Sequence, residues 1–466
     1  MFKRNLTAAA VAFAFAGPVP AQDADLAKIR EEMKQMKEAD EQRMQALEKR
    51  LKEAEARAGK AEQSAAKAEA AAAGSASRGG ENAFNPAVSL ILQGTYANTS
   101  QDPNTFQITG FVPSGGEVGP PKRGFSLSET ELTISGNIDP YFRGVAIAAL
   151  TPENEVEVEE AYFQTLALPK GFILKGGRFF SGIGYQNEIH QHAWDFQDAP
   201  LPYKAFLGNR LVQDGLQLKW VAPTPIFLEL GAEVSSGDQF PGSDRNKNGV
   251  GGSSIFGHIG GDIGPSYAWR TGLSYLNFSP LDRSYDDVDS LGGATTNTFT
   301  GKAKMWIADA ILKWAPNGNA SRTNFKLQGE YFRLKQDGNL TYDDAGGSNV
   351  FGSVSDYFNT DQTGWYAQGV WQFMPRWRVG YRYDTLRFDT VNNGIVNNAL
   401  GPTAADFPVL ASHNPTRNTL MFDWNPSEFS RLRLQFAQDK SRIGATDNQV
   451  FLQYIYSLGA HAAHKF

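Results

Sequence analysis

Two periodicities divide the chain. From residue 84 onward apolar and polar residues alternate. Leu432, Leu434 and Phe436 oppose Arg431, Arg433 and Gln435, and Leu216, Leu218 and Trp220 oppose Gln217 and Lys219. Trp306, Ala308, Ala310, Leu312 and Trp314 likewise oppose Ile307, Asp309 and Lys313. A period of two places each set on one face of a strand. The pattern predicts strands over 88–97, 126–138, 142–150, 157–168, 172–180, 213–221, 226–234, 255–263, 267–278, 303–314, 324–335, 365–373, 377–388, 416–424, 430–440 and 448–459. Sixteen is an even number, as single-chain bacterial barrels require.

A soluble sandwich would alternate in the same way, so the connections decide. Short turns such as Asp139-Pro140, Gly264-Pro265 and Met374-Pro375-Arg376 follow the even strands. Long polar loops, 181–212, 280–302, 336–364 and 389–415, follow most odd ones, and only 151–156 is short. Short periplasmic turns and long external loops produce this rhythm. Trp220, Trp314, Phe373 and Trp424 end descending strands and Phe325 and Trp377 begin ascending ones, which predicts an aromatic girdle at the periplasmic interface. Phe466 closes the chain in phase with Val450, Leu452, Tyr454, Tyr456 and Leu458, like the terminal aromatic of an outer-membrane strand. The fold class expected is an all-β transmembrane barrel of about 16 antiparallel strands, preceded by an N-terminal α-helical coiled coil.

That coiled coil is the second periodicity. Leu26, Ile29, Met33 and Met36 follow a 3-4 seam, which Asp40 interrupts and Met44, Leu47 and Leu51 resume. The step from Met33 to Met44 is a stutter that locally unwinds the supercoil. Beyond Leu51 the seam is only Ala54, Ala58, Ala61, Ala65 and Ala68. The domains expected are a signal peptide over 1–21, a periplasmic stalk over 22–73, a flexible linker over 74–83 and the barrel over 84–466. Lys3 and Arg4, an apolar run from Leu6 to Ala16 and Val19-Pro20-Ala21 mark the signal. Self-association of the stalk predicts a homo-oligomer. The seam itself does not separate dimer from trimer, and a trimer is favoured. The localisation expected is the bacterial outer membrane, in contact with its lipid, with the stalk in the periplasm.

Composition sharpens this. The chain has no cysteine, which removes thiol catalysis, disulfides and Cys-based metal sites. Losing Lys3 and Arg4 takes the formal charge from −6 to −8, against nucleic acid as a partner. No recognisable Ser/His/Asp grouping exists, so no enzymatic activity is expected.

Inward parity assigns Lys219, Glu229, Glu233, Asp309, Lys313, Lys326, Gln328 and Glu330 to the lumen, and Arg378, Arg382, Arg431 and Arg433 to the thirteenth and fifteenth strands. A barrel of this size encloses water. The loop after the fifth strand carries Glu188, Asp195 and Asp198, and the thirteenth strand stands opposite in a closed ring. An inward fold of that loop predicts a constriction with a transverse field, as in general porins. The same loop offers Glu188, His190, His192 and Asp195 as zinc ligands. Asp244, Asn246 and Asn248 match the first half of a calcium loop, with Ile255 where a bidentate Glu belongs. No cofactor is required, and zinc and calcium are the candidates.

Gly176-Gly177-Arg178-Phe179-Phe180, His192-Ala193-Trp194-Asp195-Phe196 and Pro200-Leu201-Pro202-Tyr203, with Asn85-Pro86-Ala87 and Arg123-Gly124-Phe125-Ser126-Leu127, carry a resemblance. The chain resembles a proteobacterial family often labelled zinc-regulated TonB-dependent outer-membrane receptor, and is more distantly similar to phosphate-selective porins. The resemblance implies an outer-membrane barrel with a link to zinc. The function expected is a porin-like channel for small hydrophilic solutes or ions. The alternatives are a zinc or metal-ion uptake barrel and a structural tether acting through the coiled coil.

Overall fold

The computed structural model describes residues 86–459 except 116, 117 and 348, together with Glu31 and Lys34, both helical. The chain divides into two units, 1–84 and 85–466. The expected signal peptide, most of the stalk, the linker and Phe466 lie outside the described residues.

The second unit is one sheet. Its strands are β1 (Ala87–Thr99), β2 (Gly124–Leu127 and Thr130–Asn137), β3 (Phe142–Leu150), β4 (Val156–Thr165), β5 (Phe172–Phe180) and β6 (Val212–Val221). They continue as β7 (Phe227–Ser235), β8 (Gly252–Ile263), β9 (Tyr267–Phe278 and Arg283–Val288), β10 (Ala294–Trp314) and β11 (Asn324–Asp343). The last are β12 (Ser353–Met374), β13 (Trp377–Asn393), β14 (Thr416–Ser427), β15 (Ser430–Asp439) and β16 (Asp447–Gly459). Both segments of β2 pair with β1, and both segments of β9 pair with β10, so each counts once. Every strand is antiparallel to its neighbour, and β1 pairs with β16 from Ser89↔Gly459 to Thr99↔Gln449. The sheet is therefore a closed 16-stranded ring, which leaves no edge unpaired.

The two faces invert the pattern of a soluble protein. Leu92, Leu132, Leu218, Leu273, Trp306, Tyr331, Trp365, Leu420 and Leu452 are exposed on the outside, while Gln93, Glu131, Gln217, Asp309, Glu330, Arg382 and Gln453 are buried within. An apolar band this large, uncovered around a closed sheet, faces lipid. The girdle residues cluster as predicted. Trp377 pairs and stacks with Trp424 at 5.9 Å, Phe172 stacks on Trp220 at 6.2 Å, and Trp314 pairs with Phe325. Trp220 Nε1 donates to the Lys170 carbonyl in the short turn beside it.

All sixteen predicted strands are present, but β9 to β13 run well beyond the pattern. The connections read as loops over 280–302 and 336–364 are largely strand: β10 begins at Ala294, β11 runs to Asp343 and β12 starts at Ser353. The reason is the solvent outside. Beyond the lipid band the outward residues of β11 are Arg333, Lys335 and Asp337, all exposed, so the apolar half of the alternation vanishes although the ladder continues. Arg333 and Lys335 pair there with Asp361 at 2.7 and 3.0 Å. On the inner parity Phe299, Leu340, Tyr342 and Phe358 pack with Val409 and Leu410 of the 389–415 connection.

One glycine in the Gly176-Gly177 pair is required by the backbone. Gly177 has φ +125°, and a Cβ there would lie 2.2 Å from the Ala161 carbonyl oxygen on β4.

The lipid-facing assignment is checked by placing a charge in mid-strand. Leu420→Arg should cost about 2–4 kcal/mol of folding free energy in vesicles, since the ion enters hydrocarbon. A water-facing site would register within about 0.5 kcal/mol. Equilibrium refolding in urea with lipid vesicles measures the difference.

Candidate functional site: a loop inside the barrel

Residues 181–211, between β5 and β6, contain no exposed residue at all. The expectation of a long polar loop fails at α1 (Leu201–Leu207), where all seven residues are buried. Pro200 and Pro202 fix the entry to α1, and Gly208 at φ +60° ends it. Ile183, Trp194, Leu201, Tyr203, Phe206 and Leu207 form one apolar cluster with Ile108 and Phe111 from the 100–123 connection. The cluster packs on inner-wall residues of β8 to β13, among them Phe256, Leu276, Met305, Phe332 and Leu386. The prediction that the barrel encloses water is corrected here: on this side the lumen is filled by a packed apolar cluster set among buried polar wall residues. The inward apolar residues of β8 to β11 exist because a loop covers them.

Wall carboxylates fasten the start of the loop. Glu233 accepts from Ser181 Oγ at 2.5 Å and the Gly182 amide at 2.8 Å. Glu330 accepts from the amides of Tyr185 and Gln186 and from the hydroxyls of Tyr203 and Tyr366. Several hydrogen bonds converging on one buried carboxyl hold geometry tightly inside a protein.

The loop does meet the arginine wall, but without a gap. Asp195 pairs with Lys326 and with Arg378 at 3.2 Å, and accepts from Gln368. Asp198 is surrounded by Arg382 at 3.1 Å, Arg417 at 2.9 Å and Lys204 at 3.1 Å. Burial works to raise both carboxyls. Lys326 and Arg378 around Asp195, and Arg417, Lys204 and Arg382 around Asp198, outweigh it and hold both below the ordinary carboxylate range. Arg431 and Arg433 serve differently. Both donate to the Trp194 carbonyl, and with Arg378 they converge on Asp423 of β14. Glu188 is not part of this wall at all: it pairs with Lys219 of β6 at 2.5 Å. The predicted transverse field across an open constriction is thus replaced by direct ion pairs that seal the loop to β11 and β13–β15.

The four predicted zinc ligands separate. Glu188 and Asp195 are spent on Lys219 and on Lys326 with Arg378. His190 and His192 stay together, on the short turn Gln191–Ala193, and face Glu131 of β2 and Glu159 and Glu160 of β4. Burial works against a charged His190 ring, yet Glu131, Glu159 and Glu160 more than offset it and hold its pKa well above the usual value. Arg210 pairs with Glu159 at 2.9 Å and lies over the Phe180 ring at 4.0 Å. Inward parity on β2 and β4 could have nominated these carboxylates. Which of them meets the loop depends on strand stagger, which the pattern does not carry.

The calcium expectation gathers nothing comparable. Asp244, Asn246 and Asn248 are exposed, and the Asp244 carboxylate accepts from the Asn246 amide at 3.0 Å in a local turn. Among the described residues Asp244 joins no group of three potential ligands.

A cavity of about 830 Å³ lies between the loop and the β2–β5 wall. Glu129, Glu157, Glu159, Arg178, Lys204 and Arg210 are among its lining residues.

A closed sheet with an apolar outside and polar inside defines the class: a transmembrane β-barrel, a fold that points to the bacterial outer membrane. No helix among the described residues is long and apolar enough to cross a membrane. The chain belongs to the family of an uncharacterized protein of Aquifex aeolicus (strain VF5), with 30% identity over 425 residues, 83% of this chain and 81% of that protein. No family model matches the chain. Among solved structures it is similar to the loop-L8 deletion mutant of OmpT, an outer membrane protein of Vibrio cholerae (11% identity, 80% of this chain and 99% of that one, TM-score 0.49). It is similar also to the outer membrane channel DcaP of Acinetobacter baumannii (12%, 80% and 96%, TM-score 0.46). A third is an anion-selective porin from Comamonas acidovorans (10%, 80% and 99%, TM-score 0.46). Likeness at this level says nothing of what this chain carries.

The Asp198 hub makes a prediction. Asp198→Ala leaves the buried Lys204 without its carboxylate, and Arg382 and Arg417 with only Asp384 and Asp439, at a cost of about 3–5 kcal/mol in loop docking. Amide exchange and proteolysis within 181–211 should accelerate while the strands stay protected.

Proposed function

We propose that the protein is a channel of restricted bore for small hydrophilic solutes or ions. The observation that carries the reading is the cavity between the inward loop and the β2–β5 wall, beside a lumen that is packed on its other side. A solute entering from outside would pass along Glu157, Glu159 and Arg210 rather than through the centre of the ring. Sixteen strands, with the lumen filled by the barrel's own loops, support a channel over a receptor of about 22 strands with a separate plug. The homo-oligomer and the tether reading rest on the stalk, outside the described residues. A metal-ion uptake barrel is the second reading, favoured by the meeting of His190, His192 and Glu131.

The test is conductance of the refolded chain in planar bilayers. Small steps are expected, and Glu157→Lys, a charge reversal on an exposed rim residue, should move the reversal potential in a salt gradient toward anion preference. Large steps with a reversal potential indifferent to this substitution would place the path elsewhere. Silence under every condition would remove the channel reading.

A further inference from the structure

The His190–His192 turn and the wall beside it have a geometry that hydrogen bonding leaves incomplete. His190 Nδ1 lies 3.3 Å from Glu131 Oε2 and 3.4 Å from Glu159 Oε2, yet it has no hydrogen-bond partner, and neither does that Glu159 oxygen. Both atoms are shielded from solvent. His192 Nδ1 lies 2.8 Å from the other oxygen of Glu131. One potential ligand atom from each of Glu131, His190 and His192 falls within 4.8 Å of the other two. Neighbouring donors on a tetrahedral ion with bonds of about 2.0–2.1 Å stand about 3.4 Å apart. The two contacts that fail as hydrogen bonds therefore have the spacing of ligand pairs.

We infer that Glu131, His190, His192 and Glu159 form a binding site for a divalent transition-metal cation of the zinc type. Two imidazoles with carboxylates and no thiolate suit this class, whereas calcium and magnesium take oxygen ligands. The charge balance agrees. Glu129, Glu131 and Glu159 converge within ligand distance of one another, Glu160 reaches the far nitrogen of His190 at 3.1 Å, and Arg210 pairs with Glu159. A cation placed among these carboxylates would take over the compensation that a protonated His190 gives without it, since a metal displaces protons from its ligands. Glu160 on Nε2 of His190 also has the place of the outer carboxylate that orients a metal-bound imidazole. Access exists, because Glu129, Glu159 and Gln191 line the 830 Å³ cavity. Loop and wall each supply ligands, so a bound cation would clamp residues 190–192 to β2 and β4. The site does not depend on whether the lumen conducts.

The experiment uses the full chain refolded in detergent, stripped with a chelator and titrated with zinc chloride against a chromophoric competitor. One zinc per chain is expected, displaced by neither calcium nor magnesium. His190→Ala, His192→Ala and Glu159→Gln should each weaken it at least about tenfold, and Glu188→Gln, whose carboxylate sits on Lys219, should leave it unchanged. Should a histidine variant fail to fold, X-ray absorption at the zinc edge of the unaltered protein decides. Imidazole scattering with nitrogen and oxygen at about 2.0 Å supports the site. Absence of stoichiometric zinc, a first shell without imidazole, or loss of binding in Glu188→Gln overturns it.

Discussion

Closure of the sheet is the constraint from which the rest follows. In hydrocarbon every backbone donor and acceptor must be satisfied inside the protein, and a strand achieves this only when both neighbours are strands. The eleven paired positions from Ser89↔Gly459 to Thr99↔Gln449 remove the one edge that sixteen strands would otherwise leave. Closure then gives period two its meaning. One parity meets lipid and the other faces an enclosed space that the chain is free to furnish. This chain furnishes it with its own loops.

The furnishing is uneven. Toward β8–β13 the lumen is filled by the apolar cluster, toward β13–β15 it is a lattice of arginine and aspartate, and toward β2–β5 it is carboxylate-rich and open. Buried ion pairs are costly against hydrophobic packing of the same volume, so Asp195 and Asp198 contribute more to placement than to stability. Each fixes one point of the loop against one strand. Together with Glu233 and Glu330 they hold residues 181–211 at several stations around the ring, and that placing leaves the cavity on one side only.

Strand number, direction and facing were legible because lipid imposes a uniform solvent on the outside, so a single pattern repeats sixteen times. Legibility ended where that solvent ended. The outer halves of β11 and β12 meet water on the outside, and Arg333, Lys335 and Asp337 hid a ladder that continues. The inward loop was legible from its position after the fifth strand, and its charged partners on β13 from parity and ring order. Its packing inside the barrel was written in Trp194, Phe196 and the run from Leu201 to Leu207, too apolar for a solvated loop. His190 and His192 sit together in the fold, but beside other carboxylates than the two expected with them. Glu188 and Asp195 are near them in sequence, while Glu131 and Glu159 come near only through barrel stagger, which alternation does not encode.

The apolar cluster also divides the ring by stiffness. From β8 to β13 the wall is bounded by lipid on one side and by a packed interior on the other, so it is buried on both faces like the central sheet of a soluble enzyme. Close packing of that kind resists compression. The sector from β2 to β6 has side chains and a cavity behind it, and can flex without breaking a packed interface. Breathing of the barrel under thermal or lateral membrane stress is therefore concentrated in that sector, on the side where the His190 turn leans against the wall.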